Sequence, residues 1–324
     1  MKKTCITGAN GFIGKSIYET LSKKNKLVVA AVRTNKSFLS IPNTNFISID
    51  NIDRNTNWSK ALEDCDNVIH CAGKAHVMDN ENKFDDYHSI NVEGTKNLAE
   101  QAAKAGVKRL IFLSSIKVNG ESTDKVQNKK IEQSEISSIF THINTPNPKD
   151  PYAISKYEAE KELWKISDNT GLEITIVRLP LVYGYGVKGN LRRLIKLVKF
   201  GIPLPFKRIQ NCRSMIGIDN LVDFLTSCIE HPNAAGKTFL VSDGEDLSTP
   251  DLVNRIATSM GFFPLLFPVP IQLLKFIGLI MGKKKEINRL VGSLKIDNSY
   301  SREVLNWKPP LSVAEGIRRM VHGK

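Results

Sequence analysis

The chain has 324 residues, 41% hydrophobic and 24% charged, which excludes a disordered, collagen-like or coiled-coil protein and predicts about two folded units. Its formal net charge of +13 raises nucleic acid and anionic bilayers as partners. The lysines are dispersed, as at Lys23 to Lys26, Lys125 to Lys130 and Lys283 to Lys285, and no nucleic-acid-binding motif accompanies them, so no nucleic-acid partner is expected.

In chain order, short apolar runs alternate with helix-length amphipathic segments. Strands are predicted at Lys3 to Thr7, Leu27 to Val32, Asn45 to Ile49, Asn67 to Cys71, Arg109 to Ser114 and Glu173 to Arg178, each rich in Val, Ile, Leu or Phe. Helices start near Ile13, Ser59, His88 and Tyr152. This alternation specifies the α/β class, with six strands in a doubly wound parallel sheet. After Arg178 the rhythm loosens, and prolines from Pro180 to Pro270 punctuate shorter elements. The expected division is residues 1–180 for the sheet domain and 181–324 for a smaller C-terminal domain, with some strand or helix returning to the first. The polar stretch from Gly120 to Asp150 lacks periodicity and reads as a long loop.

Thr7-Gly8-Ala9-Asn10-Gly11-Phe12-Ile13-Gly14 follows the first strand and opens the first helix. Gly8 permits a tight turn, Gly11 lets backbone amides approach a pyrophosphate, and Gly14 allows close packing of helix on strand. In that context the GxxGxxG spacing predicts a dinucleotide site. After the second strand, where an acidic residue would bind the ribose hydroxyls of NAD, the chain offers Arg33, a cation suited to a 2'-phosphate. The expected cofactor is therefore NAD(P).

Asp150-Pro151-Tyr152-Ala153-Ile154-Ser155-Lys156 reads as a helix start, with Asp150 as N-cap and Pro151 at the first helical position. Tyr152 and Lys156 then share a face, one turn apart. A phenol titrates near ~10, and a nearby ammonium and the positive helix end both favour its anion. Ser115, beyond the carboxyl end of the fifth strand, lies where open parallel sheets bind ligands. Ser115, Tyr152 and Lys156 are thus predicted as an acid/base group beside a nicotinamide.

The five cysteines form no CxxC pair and no zinc-like spacing with histidine, so neither a disulfide framework nor a metal site is expected. Met1-Lys2-Lys3 runs straight into the first strand, leaving no room for a signal peptide, and a cytoplasmic location is the expectation. Phe262 to Met281 is the most apolar region, but three prolines, Gln272 and Lys275 keep it short of the ~18 clean residues of a spanning helix. Core packing is expected for Ile271 to Met281, with a membrane face as the alternative. His70 and His76, flanking the fourth strand, are expected in packing or cofactor-side hydrogen bonds.

Taken together, TGANGFIG at Thr7 to Gly14, HCAGKAH at His70 to His76, NVEGT at Asn91 to Thr95, LSSIKVNGE at Leu113 to Glu121 and YAISK at Tyr152 to Lys156 resemble the extended short-chain dehydrogenase/reductases. RLPLVYG at Arg178 to Gly184, NCRSMIGIDNLVD at Asn211 to Asp223 and LNWKPP at Leu305 to Pro310 extend the likeness, specifically to the nucleotide-sugar epimerase/dehydratase family, over nearly the whole chain. The resemblance implies a Rossmann-type sheet with a C-terminal nucleotide-sugar domain, a UDP-sugar substrate and a homodimer. It assigns Gly8, Asn10, Gly11, Phe12, Ile13 and Gly14 to the pyrophosphate, and Cys71, Ala72 and Gly73 to the cofactor side after the fourth strand. Asn91 would, on this resemblance, support the catalytic helices. By the same resemblance Lys156 would also meet the nicotinamide ribose, and Arg178 and Pro180 would border the nicotinamide. Lys117, Asn190, Phe206 and Arg213 fall to the substrate. Asn51-Ile52 stands where the family carries Asp before an apolar residue at the adenine.

A dehydratase of this family would carry Asp-Glu after the residue matching Ser115, whereas this chain has Ile116-Lys117, which leaves chemistry at the sugar's C4. Two enzymes remain. One reduces UDP-4-keto-6-deoxy-N-acetylglucosamine to UDP-N-acetylquinovosamine for surface polysaccharide, a reading that Arg33 and the LSSIKVNGE and LNWKPP motifs favour. The other is a UDP-N-acetylglucosamine or UDP-glucose 4-epimerase. A dinucleotide sensor without catalysis is a third class, opposed by the intact Ser115, Tyr152 and Lys156.

Overall fold

The computed structural model describes residues 2–33, 41–74, 83–124 and 139–323. Seven parallel strands form one sheet in the order β3-β2-β1-β4-β5-β6-β9. They are β1 (Lys3–Thr7), β2 (Leu27–Val32), β3 (Thr44–Ser48), β4 (Asn67–His70), β5 (Arg109–Ser115), β6 (Glu173–Leu179) and β9 (Lys237–Leu240). β5 is buried at every position, as the inner strand of a sheet covered on both faces must be. The strand order reverses between β1 and β4, which opens a crevice beyond their carboxyl ends.

One face of the sheet is covered by α2 (Ser59–Leu62), α4 (Gly94–Lys104) and α5 (Pro151–Thr170), through Trp58, Leu62, Leu98, Leu163 and Phe112. The other face is covered by α1 (Phe12–Lys23) together with α7 (Ile218–Glu230), whose Leu221, Phe224 and Leu225 join Ile17 and Leu21 in a single core. β9 and α7 both follow residue 180, so the sheet takes its seventh strand and half of one helical layer from the chain's second half. The sequence pattern predicts six strands, and the seventh is four residues long and pairs only with β6.

Between β6 and the chain end, β7 (Leu181–Tyr183) and β8 (Met215–Gly217) form a two-stranded parallel sheet. α6 (Gly189–Lys199), α8 (Thr249–Ser259) and α12 (Val313–His322) pack around it on Tyr183, Leu191, Ile256 and Ile317. α9 (Ile271–Ile280) and α10 (Lys284–Val291) pair with each other, and α11 (Ser299–Leu305) returns to β9. α9 buries only Leu274 and Gly278, so the expectation of core packing for Ile271 to Met281 is not met. α9 packs on α10 through Gly278 and Ile287, but α10 itself buries no residue, so the pair stands at the surface. Among the described residues no helix is long and apolar enough to cross a membrane. His76 and Lys125 to Lys130 lie outside the described residues.

Candidate active site

The glycine loop turns tightly between β1 and α1. Gly8 has φ +66°, a conformation that side-chain-bearing residues rarely adopt, and a Cβ there would lie 2.8 Å from the backbone nitrogen of Ala72. A Cβ on Gly14 would lie 2.4 Å from the Gly8 carbonyl oxygen. Gly11 caps α1 without a side-chain hydrogen bond, and the first turn carries no acidic residue, so the helix presents free N–H groups and its positive end.

The loop before α1 lines a cavity of about 1170 Å³ with Gly8, Asn10, Gly11, Arg33, Asn51, Ile52, Cys71, Ala72 and Gly73 on its walls. That exceeds the roughly 300–1000 Å³ of ordinary small-ligand pockets and suits a dinucleotide. The glycine cradle, which a single Cβ would obstruct, fits the pyrophosphate. Phe12, Ile13 and Gly14 do not line the cavity: Gly14 supports the turn from beneath, and Phe12 and Ile13 pack against the cores. Asp50, Asp53, Lys74 and Lys188 also line it, and the sequence pattern alone does not single them out. Lys188 comes from the second half of the chain.

Asn91 joins this cavity to the catalytic helix. It is fully buried in a π-helical turn, His88–Glu93, between α3 (Lys83–Tyr87) and α4, where the wider coil re-aims the side chain. Its oxygen accepts from the Lys74 backbone N–H at 2.7 Å, and its amide donates to the Lys74 carbonyl at 3.1 Å and to Ser155 Oγ at 3.0 Å. His70 holds the same region from beneath. Its ring nitrogens lie 2.6 Å from Thr7 Oγ1 and 3.0 Å from Thr95 Oγ1, and burial, aided by the charge of Lys156, pushes its pKa down to about 3. His70 is thus a neutral packing residue.

Ser115, Tyr152, Lys156 and Lys117 come together beside Gly73. Asp150 caps α5 by accepting from Ala153 N–H at 2.7 Å, with Pro151 following, as the spacing predicts. Lys156 Nζ donates to the Leu113 carbonyl at 2.9 Å and lies 4.3 Å from the Phe112 ring centroid. A Cβ on Gly73, which lines the cavity, would stand 3.3 Å from that ammonium and 3.1 Å from Asn91 Oδ1, so the site packs closely around the glycine. Ser115 hydrogen-bonds the Tyr152 hydroxyl, and Tyr87 meets the Tyr152 ring edge-on at 6.1 Å between centroids.

The electrostatics differ from the expectation that a cationic neighbour makes this phenol acidic. Tyr152 is only half-buried as a residue, but its hydroxyl is desolvated, and that pushes its pKa up to about 12 against the lowering effect of the Ser115 hydrogen bond. The charges of Asp150 and Tyr87 push the same way. Burial also brings Lys156 down to about 8, with Cys71 and Glu160 opposing. Tyr152 is therefore a neutral phenol at neutral pH, because desolvation outweighs the Ser115 hydrogen bond.

The remaining predicted residues lie elsewhere. Arg178 directs its guanidinium at Glu160, at 2.6 and 3.1 Å, and at Asn119 Oδ1 at 3.0 Å, in a buried network with Ser114. Pro180 is buried after β6. Asn190 is exposed in the first turn of α6, Phe206 packs against the core around Tyr183, and Arg213 donates to the carbonyls of Arg289 and Gly292. None of these five lines the cavity. Lys117 forms an ion pair with Asp150, and Ile116 is buried, so neither is placed as the acid and base of a dehydratase.

Residues 4–242 match the NAD dependent epimerase/dehydratase family. The chain belongs to that family. A UDP-glucose 4-epimerase from Vibrio cholerae is 40% identical over 98% of this chain and 94% of its own length. An N-acetyl-α-D-glucosaminyl-diphospho-ditrans,octacis-undecaprenol 4-epimerase from Escherichia coli O157:H7 is 25% identical over 87% of this chain and 82% of its own. Among solved structures, a UDP-glucuronic acid 4-epimerase from Bacillus cereus in complex with NAD superposes with a TM-score of 0.77 at 22% identity, covering 99% of this chain and 96% of that one. The protein is an NAD-dependent enzyme with an extended short-chain dehydrogenase/reductase fold.

Proposed function

We propose that this enzyme inverts C4 of a UDP-sugar, as a UDP-glucose or UDP-N-acetylglucosamine 4-epimerase. The observation that carries the reading is the convergence of Ser115, Tyr152 and Lys156 at the Gly73 side of the dinucleotide cavity. The 4-epimerase names of the Vibrio and Escherichia relatives support the same carbon.

The glycine loop would hold the pyrophosphate, Asn51 and Ile52 the adenine side, and Lys156 the nicotinamide ribose. Bound there, NAD supplies a reversible hydride acceptor. Tyr152, as the phenolate, takes the proton of the C4 hydroxyl as the C4–H bond breaks, and as the phenol returns it to the carbonyl oxygen when the opposite face is reduced. Ser115 donates to the same sugar oxygen and fixes its distance from the phenol. Lys156 offsets the cost of the phenolate, which the desolvated site otherwise disfavours.

A second reading, reduction of UDP-4-keto-6-deoxy-N-acetylglucosamine, is favoured by one observation: Arg33 lines the cavity just beyond β2, where a 2'-phosphate would meet its guanidinium. An exchangeable reduced cofactor then replaces a retained NAD. The purified protein is incubated with UDP-N-acetylglucosamine and UDP-glucose without added cofactor, and separately with the 4-keto-6-deoxy sugar and NADPH or NADH. C4 inversion in the first arm is expected. Its absence, with stoichiometric loss of reduced cofactor in the second, selects the reductase instead.

A further inference from the structure

Outside the active site, the most conspicuous feature is apolar surface in one part of the chain. Of the sixteen large hydrophobic side chains exposed among the described residues, nine lie between Phe263 and Met281. Phe263 is 91% exposed, Ile280 70% and Phe276 58%. α9 is almost wholly apolar, and a helix of that composition is ordinarily buried in a core or in lipid.

A second apolar edge adjoins it. The segment after α6 runs beside the segment before α9: Leu204 N–H donates to the Leu265 carbonyl at 2.8 Å, and Phe267 N–H donates to the Leu204 carbonyl at 3.1 Å. Phe200, 74% exposed, sits at the end of α6 on that edge. The charge pattern is one-sided. Residues 188–208 and 261–285 together carry eleven Lys and Arg and no Asp or Glu. Lys196, Lys199 and Lys207 are exposed on the first segment and Lys283, Lys284 and Lys285 on the second.

We propose that α9 and the loops beside it form a monotopic docking surface for an anionic phospholipid bilayer, with the apolar side chains entering the interface and the lysines meeting the headgroups. A second copy of the chain is a poorer occupant, because a two-fold interface would set this cationic surface against itself without a carboxylate from either segment. The surface is tied to the body of the protein through Arg213. The carbonyls of Arg289 and Gly292, at and just after the end of α10, are the ones that hold Arg213. Docking of this kind inserts no spanning helix.

Flotation of the full-length protein with phosphatidylglycerol–phosphatidylethanolamine vesicles, against phosphatidylcholine vesicles, tests this. The wild type is expected to float with the anionic vesicles, to be released by high salt and to stay behind with phosphatidylcholine. The double substitution Phe276→Asp with Ile280→Asp, and separately Lys283→Glu with Lys284→Glu and Lys285→Glu, should each lower flotation at least tenfold while leaving the melting temperature and the oligomeric state in size-exclusion chromatography unchanged. The proposal is overturned if the wild type does not float, if either folded variant floats like the wild type, or if the aspartates instead dissociate an oligomer.

Discussion

Lys117 and Asp150 form an ion pair at the rim of the active site, and the Lys117 ammonium stands 6.0 Å from the centroid of the Tyr152 ring. Asp150 does two things at once, since its other oxygen caps α5. Its negative charge raises the Tyr152 pKa. Asp150→Asn retains a good N-cap but removes that charge and frees Lys117. Phenolate formation then becomes easier, so the rising limb of turnover against pH in the alcohol-oxidising direction should move to lower pH. A limb that stays in place or moves higher contradicts this role for Asp150.

Lys156 is buried, and its pKa of about 8 against an ordinary 10.5 means that the unfolded chain binds the proton more tightly than the native one. Wild-type stability should therefore rise with pH between about 8 and 10.5, by on the order of 3 kcal/mol. Lys156→Met lacks that rise, and below pH 8 it should be the more stable protein although turnover is lost. Urea unfolding at several pH values reads both effects.

His70 gives the opposite end of the pH range. Its folded pKa of about 3 lies below the ordinary 6.5, so the unfolded state takes up a proton first as the pH falls. Native stability is expected to fall below pH 6.5 by up to about 1.4 kcal/mol per pH unit from this residue. His70→Asn should be less stable by about 1–3 kcal/mol at neutral pH, because Thr7 and Thr95 lose a partner, and its acid limb should be flatter. Equal slopes for the two proteins between pH 6 and 4 would contradict this assignment.

Gly14→Ala places a methyl group against the Gly8 carbonyl, which is backbone and has little freedom to yield. The loop must shift, so cofactor affinity measured by fluorescence titration should fall at least tenfold, with a lower melting temperature. Gly106→Ala, whose Cβ meets nothing within 4 Å but needs φ +75°, should lower stability alone and leave cofactor affinity intact.

The glycine loop, six of the seven strands and the Tyr152 helix were legible because each is a local pattern: a short apolar run, a turn residue, a cap. Strand ends moved by a residue, as at Thr44–Ser48, where the side chains are half exposed and the apolar run does not mark the edge. β9 and α7 were harder to place, since nothing in a four-residue run such as Lys237–Leu240 says that it pairs with a strand some sixty residues earlier. Arg178 reads as a site residue from its motif, but its partner Glu160 is set by the approach of α5 to β6, a tertiary fact. The pKa of Tyr152 has the same origin: spacing puts Lys156 one turn away, while desolvation depends on what the fold wraps around the hydroxyl. α9 shows the limit of composition, because apolar residues mark a surface removed from water without naming what removes it.

The central claim is that Tyr152 moves the proton while hydrogen leaves or reaches C4 of a UDP-sugar. UDP-glucose and UDP-N-acetylglucosamine deuterated at C4 are incubated with the NAD-loaded enzyme, and the deuterium in the denatured enzyme's nicotinamide is measured by mass spectrometry. Label from C4 should appear in the nicotinamide with the wild type, and Tyr152→Phe should transfer it about 10²- to 10⁴-fold more slowly with cofactor still bound. C4 label lost to solvent in the product, or transfer undiminished in Tyr152→Phe, would contradict the account.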